Sequence, residues 1–223
     1  MSVLVAIEAS TDAGSIALGR GRTLLAEVMI GTRTRHAEAL LPALDFALGA
    51  TRTPRTAISG IVVGAGPGSF TGVRVAAAMA RGLAHGLAVP LFAYSSLAAL
   101  ALEASGGTDA ICALFDARRG EVYAACYRVE QGSDRLTELL APVVLTIAAL
   151  RAQLAAQEVQ FVGEGALRYA AQLGSAGAGV RVPRASALLR LQSAQPAEGR
   201  VREAAGWEPA YLRASGAERG IAG

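Results

Sequence analysis

The chain has 223 residues, enough for one large domain or two small ones with a shared core, and its 52% hydrophobic against 17% charged residues promise more apolar surface than one core needs. The net charge of +3 rests on 21 basic residues, all of them arginine and scattered, which argues against a nucleic-acid groove with dense charge and stacking aromatics. No stretch approaches the ~20 apolar residues of a membrane span, and the N-terminal MSVLVAIEAS lacks the basic and long apolar regions of a signal peptide, so a soluble, cytoplasmic protein with no membrane partner is expected.

In chain order, Val3–Glu8 is a short branched apolar run that ends in the polar turn Ala9-Ser10-Thr11-Asp12. Ser15–Leu18 and Leu24–Ile30 follow, separated by Gly19-Arg20-Gly21-Arg22, and the three runs read as an antiparallel meander. Thr34 is placed to cap a helix over Arg35 to Leu48, with Leu40, Leu41, Leu44 and Leu48 on one side and a kink expected at Pro42. Ile58–Ala65 reads as a buried strand that enters the glycine-rich turn Gly66-Pro67-Gly68-Ser69-Phe70-Thr71-Gly72. A helix from about Thr71 to His85 and a strand Pro90–Tyr94 complete this half. This succession matches an α/β fold of the ribonuclease H-like and actin-like ATPase architecture, an analogy that carries no chemistry by itself.

From Ala98 the pattern partly resumes. Ala110–Phe115 and Glu121–Val129 read as strands flanking a five-residue loop, Asp116–Gly120. A helix Ile147–Gln157, a strand Gln160–Val162 and a helix near Ala166–Leu173 follow, then a small-residue loop Gly174–Gly179. The second half reads as a truncated echo of the first. Two subdomains, 1–100 and a reduced 101–213, are expected, with a disordered polar tail over 214–223. Cys112 and Cys126 lie in adjacent strands and are expected as buried thiols, with a disulfide disfavoured.

The glycine turn presents N–H groups at a helix start, which suits an anion. It is no Walker loop, since the chain has no lysine, and Ser69 breaks the G-x-G-x-x-G pattern. The favoured reading is a sharp turn that caps the helix and lets it pack closely. Within that helix Val73, Ala77, Ala80, Ala84 and Leu87 share one side, and Val75, Met79, Gly82 and Gly86 another. Arg74, Ala78, Arg81 and His85 make the only polar side. Small apolar residues on two sides suggest a helix–helix interface with a second protein, with the Leu-rich helix beside it.

Catalytic candidates are few. The two histidines, His36 and His85, are far apart, and no Cys/His ligand spacing or nucleophile triad is present. Glu8 and Asp12 at the end of the first strand suggest Mg²⁺, but a solvated turn explains them equally. Asp116, Arg118, Arg119 and Glu121 are read as pairing with one another around their turn. No catalytic, cofactor or metal residue is assigned.

The segments VLVAIEASTDAGSIAL, RHAEALLPALDFAL, GAGPGSFTGVRVAAAMARGLA, SSLAALA, DARRGEVYAACY and PAYLR together resemble the TsaB (YeaZ) family along nearly the whole chain. The resemblance implies a non-catalytic scaffold that binds and stabilises a TsaD-like catalytic subunit for N6-threonylcarbamoyladenosine formation at adenosine 37 of tRNAs reading ANN codons. A TsaE-like ATPase joins the pair, TsaC supplies the activated intermediate, and tRNA is met only through the complex; separately, the apolar helix pair of the free chain could pair with itself in a two-fold homodimer. Carried onto this sequence, the partner interface comprises His36, Leu40, Leu41, Leu44 and Leu48 of the first helix. From the second helix it takes Val73, Arg74, Ala77, Ala78, Ala80, Arg81, Leu83 and Ala84. One departure is Glu8-Ala9-Ser10 where the family usually has D-T-S, which weakens the alternative of an actin-like Mg-nucleotide ATPase or kinase relative. A metal-dependent peptidase, the third alternative, lacks ligands for its metal.

Overall fold

The computed structural model describes residues 2–31, 36–105, 110–130, 132–155, 157–174, 179 and 182–212. The expected cap Thr34, the helix residue Arg35, most of the 174–179 loop and the 214–223 tail lie outside them.

Alternating branched residues and tight Gly/Arg turns produce β1 (Val3–Glu8), β2 (Gly14–Arg20) and β3 (Thr23–Ile30), paired antiparallel. β4 (Ile58–Gly64) joins β1 in parallel and β5 (Leu91–Tyr94) joins β4, giving the order β3-β2-β1-β4-β5. This is the ribonuclease H-like, actin-like arrangement anticipated above. β1 and β4 are buried on both faces, which is why they read as continuous apolar runs. On one face lie α1 (His36–Ala50) and α2 (Phe70–Gly86), whose Leu40, Leu44, Ala47, Ala76 and Ala80 share a core with Val5, Ile7 and Val63. α1 is continuous through Pro42, which sits on its exposed side.

The second sheet repeats the scheme in shortened form. β6 (Ala110–Arg118), β7 (Glu121–Val129) and β8 (Leu136–Thr146) are antiparallel, and β9 (Gln160–Val162) runs parallel to β6, in the order β8-β7-β6-β9. Sequence reading missed β8, whose half-exposed residues alternate poorly. It also missed α3 (Ser96–Glu103) and α7 (Ala185–Ala194). α3 is apolar on all sides because both sheets cover it: Leu97–Leu102 join Ala6, Val62, Phe115, Ala125 and α7 in one cluster. The outer face of the second sheet carries only short helices, α4 (Ile147–Gln153), α5 (Glu164–Arg168) and α6 (Ala170–Leu173). The helix expected near Ala166–Leu173 is thus two pieces, broken at Tyr169.

Two corrections concern β6 and β7. β7 has the expected bounds, but β6 extends further than expected, pairing Arg118 with Glu121, so the loop is the two residues Arg119-Gly120. Both have positive φ, the twist that matches a two-residue hairpin. Cys112 and Cys126, opposite one another in register and fully buried, are joined as a disulfide instead of lying as free thiols.

After α7 the short α8 (Pro196–Gly199) leads back to the first sheet. Val201, Ala204 and Trp207 pack on the α2 side of the core, and Arg200 bridges to Phe92 along β5. The returning chain therefore shields the β5 edge. No helix among the described residues is long and apolar enough to cross a membrane.

Candidate functional site

The glycine turn is shaped by what it touches. A Cβ at Gly68 would strike the carbonyl of Ser10, one at Gly72 the carbonyl of Ala9, and one at Gly64 the carboxyl of Glu8. Ser69 donates its N–H to the Ser10 carbonyl at 2.6 Å and caps α2 by accepting from the Gly72 N–H at 3.3 Å. Glycine is needed here so that α2 can approach the end of β1, which agrees with a packing turn.

Glu8 points inward. It is fully buried, accepts from the Ser10 N–H at 2.7 Å and from the Ser96 hydroxyl at 2.9 Å, and burial pushes its carboxyl up from 4.5 against the pull of those hydrogen bonds. It is therefore not presented alongside Asp12, which is exposed at the neighbouring turn.

Between the β1–β2 turn, the start of α2 and the β6–β7 hairpin lies a cleft of about 950 Å³. Ser10, Asp12, Ser69, Phe70, Asp116, Arg118, Arg119, Glu164, Arg168 and Tyr211 are among its lining residues. Asp116 does not pair with the neighbouring guanidiniums as expected. It accepts from the Arg118 backbone N–H at 3.0 Å and the Tyr169 hydroxyl at 3.1 Å, and faces Arg168 at 3.3 Å. Burial, then the charges of Asp12 and Asp116, push the Glu164 carboxyl up. Glu164, Arg168 and Tyr211 were not legible as site residues, since only the fold brings these late segments to the first turn. Among the described residues no three of His, Cys, Asp and Glu gather as a metal group.

The α1–α2 face divides the expected interface residues. Leu40, Leu44 and Leu48 on α1, and Val73, Ala77, Ala80 and Ala84 on α2, are buried in the chain's own core. His36 begins α1 with its ring against Gly14, its Nε2 buried without a hydrogen-bond partner, and its pKa lowered by burial despite the charge of Asp12. Arg81 reaches back to the Ala205 carbonyl and Leu83 is half-buried. Leu41, Arg74 and Ala78 remain exposed. Phe46, which the sequence reading passed over, is 68% exposed, and Leu41 is 51% exposed. Together with Pro42 and Asp45 they line the outer stripe of α1, and Ala78, Gly82 and His85 line that of α2. The signal was in the periodicity: Phe46 falls between the core positions Leu44 and Leu48, turned away from both.

A family model described as "TsaD: tRNA N6-adenosine threonylcarbamoyltransferase" matches residues 25–173. The tRNA threonylcarbamoyladenosine biosynthesis protein TsaB of Escherichia coli (strain K12) is 34% identical over 218 residues, 94% of each chain. TsaB of Haemophilus influenzae is 32% identical, covering 94% of this chain and 93% of its own. TsaB of Bacillus subtilis (strain 168) is 37% identical over 129 residues, a match that spans 56% of that relative. The solved structure of YeaZ from Pseudomonas aeruginosa superimposes with a TM-score of 0.84 at 33% identity, covering 95% of this chain and all of that one.

Proposed function

The chain belongs to the TsaB family of tRNA threonylcarbamoyladenosine biosynthesis proteins, and from that premise we propose that it serves as a non-catalytic scaffold for a TsaD-like catalytic subunit. The observation that carries this reading is the apolar outer stripe of α1, where Phe46 and Leu41 are 68% and 51% exposed. Beside it Ala78 and Gly82 leave α2 flat enough for the close approach of another helix. Two large apolar side chains held out from neighbouring turns are the anchors that interfaces use. The interface is accordingly centred on Leu41, Phe46, Arg74, Ala78 and Gly82, and the buried members of the expected set support it from beneath. In the absence of the catalytic subunit the same stripe closes a homodimer about a two-fold axis. A TsaE-like ATPase completes the assembly in the cytoplasm.

The matching family model is named for a transferase, yet the side chains favour a supporting role. Glu8 spends both carboxylate oxygens on internal hydrogen bonds. His36 faces Gly14 near one end of the helical layer, while His85 lies in the last turn of α2. The same inward Glu8 disfavours the Mg-nucleotide ATPase reading.

The test is threonylcarbamoylation of an ANN-decoding tRNA by TsaD, TsaC and TsaE of the same cell, with and without this chain. Product that requires the chain supports an obligatory subunit, and equal product without it sinks the scaffold role.

A further inference from the structure

The cleft contains a set of side chains that scaffolding leaves unused. At its mouth Phe70 and Tyr211, each 41% exposed, stand with ring centroids 5.5 Å apart and planes tilted by 46°. The Arg74 guanidinium lies 5.1 Å from the centre of the Phe70 ring. Across the cleft the β6–β7 hairpin carries Arg118 and Arg119 at φ of 63° and 56°, a backbone region that disfavours bulky side chains. Both residues are exposed, and neither guanidinium has an ion-pair or hydrogen-bond partner among the described residues. On the floor the Ser10 hydroxyl is 2% exposed and lacks a hydrogen-bond partner.

We propose that this cleft mouth is a contact site for an unpaired stretch of RNA, with its phosphates at Arg118 and Arg119 and a base stacked on Phe70 and Tyr211. The inference rests on the reading of the chain as part of a tRNA-modifying assembly and adds direct contact with the RNA to it, against the expectation from scattered arginines, because the fold gathers Phe70, Arg118, Arg119 and Tyr211 at one cleft. Exposed aromatic rings beside guanidiniums are how proteins hold splayed bases and the strand that carries them. Both charges are at hand: Arg118 and Arg119 offer cations to a backbone, and Asp12 and Glu164 line the same cleft, where carboxylates accept from exocyclic amino groups. A free nucleotide fits less well. Glu8, at the end of β1 beside the glycine turn, is turned into the core and spends both carboxylate oxygens there.

The experiment is fluorescence anisotropy of an unmodified anticodon stem-loop RNA titrated with the full chain across a salt series, with ATP as competitor. The double variant Arg118→Ala/Arg119→Ala is expected to weaken binding about tenfold and to reduce the slope of log K against log salt by about 1 to 2. Phe70→Ala is expected to weaken it about fivefold with the slope unchanged. Docking of the catalytic subunit is measured on the same arginine variant. Retained docking with weakened RNA binding supports the site, whereas failure of even the wild-type chain to dock counts against the scaffold reading alone. Wild-type-like RNA affinity in the arginine variant, absence of RNA binding at low salt, or displacement of the RNA by submillimolar ATP each overturns the proposal.

Discussion

The two sheets share a scheme, β3-β2-β1-β4 against β8-β7-β6-β9, to which the first adds β5, and they have opposite fates. In each, an antiparallel meander is extended by a parallel strand, and a glycine-bearing turn then carries a helix across the end of the first strand. The packing device recurs as well: a Cβ at Gly68 or Gly72 would hit the chain just after β1, and one at Gly163 would hit the Leu114 carbonyl of β6. The first sheet then receives helices of 15 and 17 residues, while the second receives pieces of 7, 5 and 4. Similar backbones have thus been dressed differently. The long helices can cover a sheet and still present an outer stripe to a partner, whereas the short ones close a core and do little more.

That contrast is sharpest within α2, where neighbouring alanines have different duties. Ala80 is fully buried and Ala78 exposed. Ala80→Arg is expected to abolish folding, because an arginine cannot be accommodated there without burying an unpaired charge, and circular dichroism with a denaturant titration reads this directly. Ala78→Arg is expected to change stability by less than about 0.5 kcal/mol while blocking the catalytic subunit. Equal stability of the two variants would break the assignment of the faces.

The glycines provide the next test. Gly72→Ala forces the start of α2 off the end of β1 and is expected to cost about 2 kcal/mol or more, the range of overpacked sites. Gly82, on the outer side of the same helix with open space at its Cβ position, is expected to gain about 0.5–1 kcal/mol on replacement by Ala. Thermal melts of the two variants should therefore move in opposite directions.

The smallest effect concerns Glu8. Its carboxyl is raised by burial, so between the ordinary value of 4.5 and the folded value the native state holds more protons than the unfolded one. Stability therefore declines as pH rises through that window. Glu8→Gln, which retains an acceptor for the Ser10 N–H, is expected to flatten this decline and to be the more stable form at neutral pH. Parallel pH dependences of wild type and variant would contradict the assignment.

Much of the first half was legible. Branched runs and tight turns gave β1 to β5 within a residue or two, and the glycine-rich turn marked the start of α2. The faces were harder: the polar side of α2, with Arg74, Ala78 and His85, does face outward, but its two apolar sides of small residues look alike, as do Leu40 and Leu41 until the sheet selects one. In the second half β8 escaped through weak alternation, and α3 through uniform apolarity. The cleft was out of reach altogether: Tyr211 meets Phe70 from the far end of the sequence, and no local pattern reports that return. The Cys112–Cys126 pair was judged from compartment, whereas the register of β6 and β7 sets the two residues opposite one another.

The central claim is that the outer stripe of α1 and α2 carries the partner. Calorimetric titration of the same cell's TsaD-like subunit into wild-type chain and Phe46→Ala tests it most directly. The account predicts a folded variant whose affinity is lower by about thirtyfold, as for an anchor worth about 2 kcal/mol. A folded Phe46→Ala that binds as tightly as wild type would contradict it.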